Sequence, residues 1–404
     1  MSLNKTPRSD RTHIAIFGKR NAGKSSLINA LTNQQISIVS DIAGTTTDPV
    51  YKSMELLPLG PVVFIDTAGI DDIGNLGYLR IQKTKSVLNK TDIALIVIDH
   101  LFEDYSNELE LIATIKEKKI PYIIVQNKID LVTSVNTQFL NDEPVYQVSS
   151  LTNIGIESLK NAIAKKVDNK ENKFQIVGDL LKPSDVVVMV VPIDKAAPKG
   201  RLILPQQQVI RDCLESDATA IITKEHELRN VLNNLKQPPK MVITDSQVFS
   251  RVSADTPRGV LLTSFSILFA RYKGDLETLI KGVKAIDSLK EDDTILISEG
   301  CTHHRQSDDI GTVKIPRWLK EYSGKNFNFE HTTGTDYKSE LDNVKLIIHC
   351  GACMLNKKEM SYRIEKAIDS NIPIVNYGIL IAYLKGILPR ALEPFPYEAM
   401  LYNN

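Results

Sequence analysis

The chain has 404 residues, which is long enough for two or three domains, each with its own hydrophobic core. Hydrophobic residues make up 42% and charged residues 24% of the sequence, which excludes an intrinsically disordered chain. Lysine plus arginine and aspartate plus glutamate both number 49, so the formal net charge is zero. This balance disfavours a protein whose main role is to bind nucleic acid.

The apolar stretches of the chain predict a cytoplasmic protein that does not enter a membrane. Residues 1–13 are polar and mixed in charge, unlike a signal peptide. Residues 186–193 form the densest apolar stretch, which is too short to cross a bilayer and is typical of a buried strand. The sequence has only 4 cysteines, so we do not expect a disulfide framework. We interpret Cys213 as a packed side chain on a helix.

The first 170 residues alternate short β-branched runs with helical patterns, which predicts parallel strands joined by crossover helices. A polar stretch at 168–173 is typical of a linker. The predicted strands are 12–17, 61–66, 93–99, 122–126 and 145–148, and the predicted helices begin near Gly23, Leu79, Ser106 and Gly155.

Two further α/β blocks follow. Residues 171–260 are predicted as a small βαβαβ unit without catalytic residues, which favours a role in oligomerisation or as a spacer. Residues 261–404 begin with a predicted helix over 264–289 and then alternate again between strands and helices. The predicted strands of this block are 293–298, 327–331 and 344–348. The fold class is therefore α/β, with predicted domains at 1–170, 171–260 and 261–404.

A phosphate-binding motif lies between the first predicted strand and helix. Residues 18–25 read GKRNAGKS and fit the pattern GxxxxGK[ST]. Backbone N–H groups of such a loop wrap phosphates, Lys24 would neutralise β- and γ-phosphate charge, and the Ser25 hydroxyl would ligate Mg²⁺. The nucleotide contacts that we expect from this segment are Gly18, Asn21, Ala22, Gly23, Lys24, Ser25 and Ser26.

Two later motifs, together with Ser149 and Ser150, specify the nucleotide as GTP or GDP with Mg²⁺. The run DTAG at 66–69 supplies the Asp66 carboxylate towards magnesium and the Gly69 N–H towards the γ-phosphate. The run NKID at 127–130 sets the base, because a carboxylate at Asp130 can accept two hydrogen bonds that guanine offers and adenine does not. The remaining residues expected at the base are Asn127, Lys128, Ser149 and Ser150.

The loop GTTTD at 44–48 resembles the GTTRD switch of the TrmE–Era–EngA group of GTPases. The resemblance implies that Thr46 closes on Mg²⁺ and, with Lys24 and Gly69, serves catalysis; Thr45 and Thr47 are the alternatives. Ile70 follows the DTAG run where Ras-like proteins keep a water-orienting glutamine, so intrinsic hydrolysis should be slow. Members of the group compensate with K⁺ held partly by an asparagine that Asn21 matches, although Asn21 could also be only a turn residue.

The other three cysteines form a candidate metal site. Cys301 with His303 follows one predicted strand, and residues 349–353, HCGAC, follow another. Both segments thus lie at carboxyl ends of strands, where open α/β sheets usually place ligand sites, and they can meet if the two strands are parallel neighbours. From spacing alone, both zinc and an iron–sulfur cluster fit these cysteines and histidines.

The pattern CxH, 45 residues and HCxxC, together with the order of the three blocks, resembles the [FeFe]-hydrogenase maturation GTPase of the HydF type. The resemblance implies a GTPase domain, a dimerisation domain and a domain that holds a [4Fe–4S] cluster through Cys301, Cys350 and Cys353. It also implies a homodimeric carrier that works with radical-SAM maturases and passes a di-iron precursor to the apo-[FeFe]-hydrogenase. The candidates for the fourth ligand, or for contacts to it, are His303, His349 and Glu299, and weaker candidates are His304 and His331.

A second function remains open from the sequence. A ribosome-assembly or tRNA-modification GTPase with a zinc-binding C-terminal module would share the same nucleotide motifs. The neutral net charge and the lack of a GxxG-type RNA clamp after the GTPase motifs disfavour it.

Overall fold

The computed structural model describes residues 6–33, 49–67, 83–99, 105–131, 143–168, 175–192, 202–300, 309–334, 337 and 341–403. The chain divides into two compact units, residues 1–172 and 173–404. The helix start predicted near Leu79 lies outside the described residues, and so do several candidate site residues, namely Thr45, Thr46, Thr47, Gly69, Ile70, Cys301, His303 and His304. No helix in the described ranges has both the length and the apolar character that crossing a bilayer requires.

The first unit is built on a six-stranded sheet in the order β2-β3-β1-β4-β5-β6. All pairs are parallel except β2 with β3, which is antiparallel. The prediction missed β2 because this edge strand carries no continuous apolar run and alternates between exposed and buried residues only over its last four positions. The strands are β1 (Thr12–Phe17), β2 (Val50–Leu56), β3 (Gly60–Asp66), β4 (Ile93–Asp99), β5 (Tyr122–Asn127) and β6 (Val145–Gln147).

The central strands are buried on both faces, so their side chains divide between two hydrophobic clusters. Ile14 and Ile16 belong to one cluster, and Ala15 and Phe17 belong to the other. This alternation is the period-2 geometry of a strand, and it explains the unbroken apolar runs seen in the sequence. The helices are α1 (Lys24–Thr32), a helical segment at 83–88, α2 (Ser106–Glu117) and α3 (Ile156–Asp168).

The second unit contains two four-stranded parallel sheets, in the orders β10-β9-β7-β8 and β12-β11-β13-β14. One continuous hydrophobic core includes residues of both sheets. The division of this unit into domains at residue 260 stays a prediction. The strands are β7 (Val186–Val190), β8 (Thr219–Thr223), β9 (Met241–Thr244), β10 (Leu261–Ser264), β11 (Thr294–Glu299), β12 (Asn328–Thr333), β13 (Val344–His349) and β14 (Ile374–Asn376).

The helices of the second unit connect these parallel strands. A π-helical turn, Ile310–Lys314, leads into the helix that carries the chain's one tryptophan, Trp318. The helices are α4 (Leu204–Glu215), α5 (Leu228–Asn234), α6 (Phe249–Asp255), α7 (Phe265–Lys273), α8 (Leu276–Val283), α9 (Ile315–Ser323), α10 (Lys357–Asp369), α11 (Tyr377–Leu384), α12 (Leu388–Ala391) and α13 (Pro396–Asn403).

The single helix predicted over 264–289 is wrong. The chain makes two helices there, and Gly274 separates them. Asp275 caps the second helix, because its carboxylate accepts a hydrogen bond from the Thr278 backbone N–H at 3.2 Å and from the Thr278 hydroxyl at 2.7 Å. A Cβ at Gly274 would lie 2.8 Å from the Ala270 carbonyl oxygen, so only glycine fits this junction. The apolar periodicity continues across the break and hides it from the sequence.

The sheet containing β11 brings two predicted site segments to one edge. β11 and β13 are parallel neighbours, with Ser298 paired to His349. Their carboxyl ends therefore lie side by side, as they must if the residues after them are to meet. Gly300 follows the end of β11 and directly precedes Cys301. Cys350 follows the end of β13 at the same edge of the sheet.

Candidate nucleotide and metal sites

The phosphate loop runs from the end of β1 to the start of α1, and both of its glycines are required by the space around them and by the backbone angle. Gly18 has φ +151°, and a Cβ there would lie 2.3 Å from the Val97 carbonyl oxygen. Gly23, directly before α1, has φ +87°, and a Cβ there would lie 2.2 Å from Asn127 Nδ2. The loop can thus adopt this path only with glycine at both positions.

The cationic and magnesium-directed residues of the loop are held in place. Lys24 is buried, and its Nζ donates hydrogen bonds to the carbonyl oxygens of Gly18 at 2.9 Å and Lys19 at 2.8 Å. The Ser25 hydroxyl donates to Asp66 Oδ2 at 2.8 Å. The structure therefore brings together Ser25 and Asp66, two of the three residues predicted to ligate Mg²⁺, and their role as ligands stays a prediction.

The base-directed residues converge on the same loop. Asn127 Nδ2 donates to the Ala22 carbonyl oxygen at 3.2 Å, which ties the NKID run to the phosphate loop. Ser150 donates to Asn127 Oδ1 from its backbone N–H at 3.1 Å and from its hydroxyl at 2.9 Å. Ser149 is fully buried, and Asp130 is exposed in a single turn of 3₁₀ helix, where a ligand can reach it.

One acidic residue near this site was missed by sequence reasoning. Lys128 Nζ lies 2.6 Å from Asp99 Oδ2, and Asp99 is buried at the end of β4. The position of Asp99 in the sequence could have identified it, because the carboxyl end of a central strand lies beside the phosphate loop in this fold. Asn21 and Ser26 are both exposed, and Asn21 has φ +64°, a conformation that suits a turn.

Replacing Gly23 by alanine is expected to lower the free energy of unfolding by about 1–3 kcal/mol, because the new Cβ adds a clash to an unfavourable φ. GTP affinity should fall by at least about tenfold, since the clash displaces the loop from Asn127. Urea unfolding and nucleotide titration measure the two effects. Gly60→Ala is the matched control, because φ is +93° there and no described atom lies within 4 Å of a new Cβ. Unchanged GTP affinity in Gly23→Ala would contradict a phosphate loop that needs glycine beside Asn127.

The second candidate site is the loop of residues 350–353. The Cys350 N–H donates to the Ser298 carbonyl oxygen at 2.9 Å, which continues the pairing of β13 with β11. Cys350 Sγ accepts hydrogen bonds from the N–H groups of Gly300 at 3.1 Å and Ala352 at 3.5 Å. Ala352 has φ +53°, so the backbone curls around the sulfur. Backbone N–H donors aimed at sulfur favour a thiolate, the form that binds metal.

His349 is fully buried, and both of its ring nitrogens have partners. Nδ1 donates to the Cys350 carbonyl oxygen at 2.8 Å, and Arg363 Nη1 donates to Nε2 at 3.0 Å. Burial, helped by the Arg363 charge, lowers the pKa of His349 to about 3, so its imidazole is neutral. Arg363 also donates to the Gly334 carbonyl oxygen at 2.7 Å and pairs with Glu359 at 3.1 Å.

Sequence reasoning missed Arg363, although a signal was present. The helix α10 buries Met360, Arg363, Ile364 and Ala367 on one face. An arginine on the apolar face of a helix is almost never buried unless a partner holds it. The partners here, His349 and Ser298, come from neighbouring strands, so the sequence alone could not identify them.

Glu299 is also buried and engaged. The Tyr377 hydroxyl donates to Glu299 Oε1 at 3.1 Å, and burial together with the charges of Glu299 and Cys350 raises the pKa of Tyr377. Among the weaker candidates, His331 lies exposed on β12. Cys213 is fully buried, and burial raises its pKa to about 12, in agreement with a packed side chain rather than a ligand. Within the described ranges, no three His, Cys, Asp or Glu side chains are grouped so that they could hold a metal ion.

Comparison with known families divides the chain into three segments. Residues 13–128 match the family model described as a 50S ribosome-binding GTPase. Residues 176–274 match the hydrogen maturase F dimerization domain, and residues 277–394 match the hydrogen maturase F tetramerization domain. The expected architecture, a P-loop GTPase domain followed by α/β modules, is therefore confirmed.

The curated relatives each match less than half of the chain. The tRNA modification GTPase MnmE of Aquifex aeolicus is 38% identical over 155 residues, which are 38% of this chain and 34% of that protein. The GTPase Der of Mycoplasmopsis pulmonis is 34% identical over 200 residues, 45% of this chain and 46% of that protein. The crystal structure of Aquifex aeolicus Era bound to GDP·AlF4⁻ is 20% identical, with a TM-score of 0.34, and the match covers 52% of this chain and 93% of that one. This chain thus spans less than half the length of either curated relative.

Proposed function

Because the chain belongs to the hydrogen maturase F (HydF) group of GTPases, we propose that it is a GTP-hydrolysing carrier for hydrogenase maturation. The carrier holds a [4Fe–4S] cluster and delivers the precursor of the di-iron subcluster to the apo-[FeFe]-hydrogenase. One observation supports this proposal beyond the family: the Gly300 N–H donates to Cys350 Sγ, so the backbone leading to Cys301 contacts the HCGAC segment.

The residues present fit a cluster. Cys350 Sγ already receives two backbone N–H groups, which is how proteins stabilise thiolates bound to iron. Cys301, Cys350 and Cys353 would hold three irons, and one iron would keep an exchangeable ligand. Such a cluster supplies one-electron chemistry and a coordination position at which incoming cargo can be anchored. The chain's own residues hold the thiolates in place.

Two of the three candidates for the fourth cluster ligand, His349 and Glu299, lie among the described residues. His349 uses both ring nitrogens in hydrogen bonds, and Glu299 accepts one from Tyr377. His349 would have to give up a buried contact in order to reach iron, whereas the carboxylate of Glu299 has a second oxygen besides the one that Tyr377 contacts. These contacts favour His303 and Glu299 over His349 as candidates for the fourth ligand.

GTP hydrolysis is phosphoryl transfer to water. Lys24 would move from its backbone acceptors to the β- and γ-phosphates, and Ser25 and Asp66 would exchange their mutual hydrogen bond for Mg²⁺. Thr46 and Gly69 complete the site in this proposal, and K⁺ held partly by Asn21 would accelerate a slow reaction. GTP does not perform the organometallic chemistry. It biases contacts with the radical-SAM maturases and with the apo-hydrogenase, or within a homo-oligomer.

The experiment is EPR of anaerobically reconstituted and reduced protein, with Cys301→Ala and Cys353→Ala beside the wild type. A reduced [4Fe–4S] signal in the wild type that disappears in both variants, and that imidazole or cyanide perturbs, is the expected result. Cys213→Ala is the matched control and should keep the signal, because Cys213 is buried in the core of the unit. Stoichiometric zinc without a paramagnetic cluster in the wild type would overturn the carrier proposal.

The alternative, an RNA-directed GTPase with a zinc module, is supported by the resemblance to MnmE and Der, which covers 38% and 45% of this chain. Both segments matched to hydrogen maturase F lie after the GTPase match, and they favour the carrier over this alternative. Salt-sensitive RNA binding by the zinc-loaded protein would favour the alternative.

A further inference from the structure

Helix α7 lies against the HCGAC loop although it belongs to the segment matched to the dimerization domain. At the start of the helix, the Ser266 carbonyl oxygen accepts a hydrogen bond from Asn376 Nδ2 at 3.0 Å, and Asn376 ends β14 beside the loop's strand. Ser266 Oγ lies 3.7 Å from where a Cβ of Gly351 would be. The first turn of α7 therefore lies beside the middle of the loop.

At the other end of α7, Lys273 contacts the loop directly. Its Nζ donates hydrogen bonds to the carbonyl oxygens of Cys353 at 3.2 Å and Leu355 at 3.0 Å. Lys273 is only 2% exposed, and Nζ lies 5.5 Å from the centre of the Phe269 ring, one turn earlier on the same helix. Burial of a lysine is costly, so a buried lysine that donates twice to one loop has a specific role there.

We propose that Lys273 positions the Cys350–Cys353 loop and sets the reduction potential of the cluster that the loop binds. The ammonium group of Lys273 binds the carbonyl oxygens of Cys353 and Leu355, at the two ends of one turn. These two hydrogen bonds hold the turn, and with it the Cys353 side chain, in one position. The inference rests on the proposed cluster. In this inference, both segments matched to hydrogen maturase F contribute residues to the cluster site.

The effect on the potential follows from the same geometry. A [4Fe–4S] cluster with three thiolates is anionic, and reduction adds one more negative charge. A cation buried next to a ligand's backbone stabilises the reduced form more than the oxidised form, because low-dielectric surroundings screen it poorly. Lys273 should thus raise the potential and help the protein to keep its cluster.

The test is a redox titration of reconstituted full-length protein, followed by EPR, in the wild type, Lys273→Met and Lys273→Arg. We expect Lys273→Met to shift the one-electron equilibrium about tenfold towards the oxidised form, that is about 59 mV more negative. Lys273→Arg, which keeps the charge, should stay close to the wild type. Lys281→Met is the matched control, because Lys281 lies on the next helix with its side chain 62% exposed and paired to Glu277, so the potential should not change in this variant.

Equal potentials in the wild type and Lys273→Met, at equal iron content, would overturn the inference while leaving the carrier proposal intact. Equal shifts in the methionine and arginine variants would also overturn it, because the charge would then not be the cause. If Lys273→Met melts in the apo form, Lys273→Gln replaces it, since glutamine keeps an N–H donor without the charge. A wild type that forms no cluster would instead overturn the proposed function.

Discussion

Replacing Asp130 by asparagine is expected to lower GTP affinity by about 100-fold, which corresponds to a loss of about 3 kcal/mol. In the predicted contact, the wild-type carboxylate accepts two hydrogen bonds from guanine, whereas an asparagine amide presents one acceptor and one donor, so that one contact is kept and the other is replaced by repulsion between two N–H donors. Asp130 is exposed in its 3₁₀ turn, so the change should not disturb the fold. Titration with a fluorescent GTP analogue, together with thermal melting, measures both effects.

The same substitution should create affinity for xanthosine triphosphate, because xanthine replaces the amine of guanine by a carbonyl oxygen that the new amide can donate to. Glu157→Gln is the matched control, since Glu157 is 76% exposed on α3 and pairs only loosely with Lys160 at 3.5 Å. GTP affinity within about a factor of three of the wild type in Asp130→Asn would show that Asp130 does not read the base.

Replacing Arg363 by alanine is expected to lower the free energy of unfolding of the second unit by about 3–5 kcal/mol. The side chain is 1% exposed and holds His349, Ser298, Gly334 and Glu359 together. Its removal would leave the Glu359 carboxylate, which is 12% exposed, without this cation and would open a cavity beneath the HCGAC loop. Urea unfolding of the apo-protein, followed by tryptophan fluorescence, is a clean measurement because the only tryptophan of the chain lies in this unit.

Arg317→Ala supplies the comparison for this effect. Arg317 and Glu321 form an exposed pair on α9, with their side chains 56% and 60% exposed, and such helix pairs contribute about 0.3–0.5 kcal/mol. Arg363→Lys should recover part of the stability, since it restores the charge but not the fork of donors. A loss in Arg363→Ala no larger than in Arg317→Ala would mean that the buried network does not stabilise the loop.

The parts of the two candidate sites that could be predicted are those whose functional groups belong to residues close together in the sequence. The turn from β1 to α1 fixes the relative positions of the phosphate-loop glycines, Lys24 and Ser25, so a short stretch of sequence is enough to identify them. The same holds for the NKID run, whose Asn127 contacts the phosphate loop at Ala22 as a consequence of the parallel sheet. The cysteine spacing predicted a metal site, and the proposal of a cluster rather than zinc rests on the resemblance to the family.

The sequence by itself determined the α/β class and the order of most strands and helices, and it predicted the candidate site residues, because hydrophobic periodicity and short motifs are local properties. Only the tertiary structure decided which buried groups support those residues. Arg363 lies 14 residues from His349, and Lys273 lies 80 residues from Cys353, and each pair meets only because parallel strands and their helices pack into one core. A buried cation is stable only beside partners that the fold supplies, so such contacts leave little trace in the linear sequence.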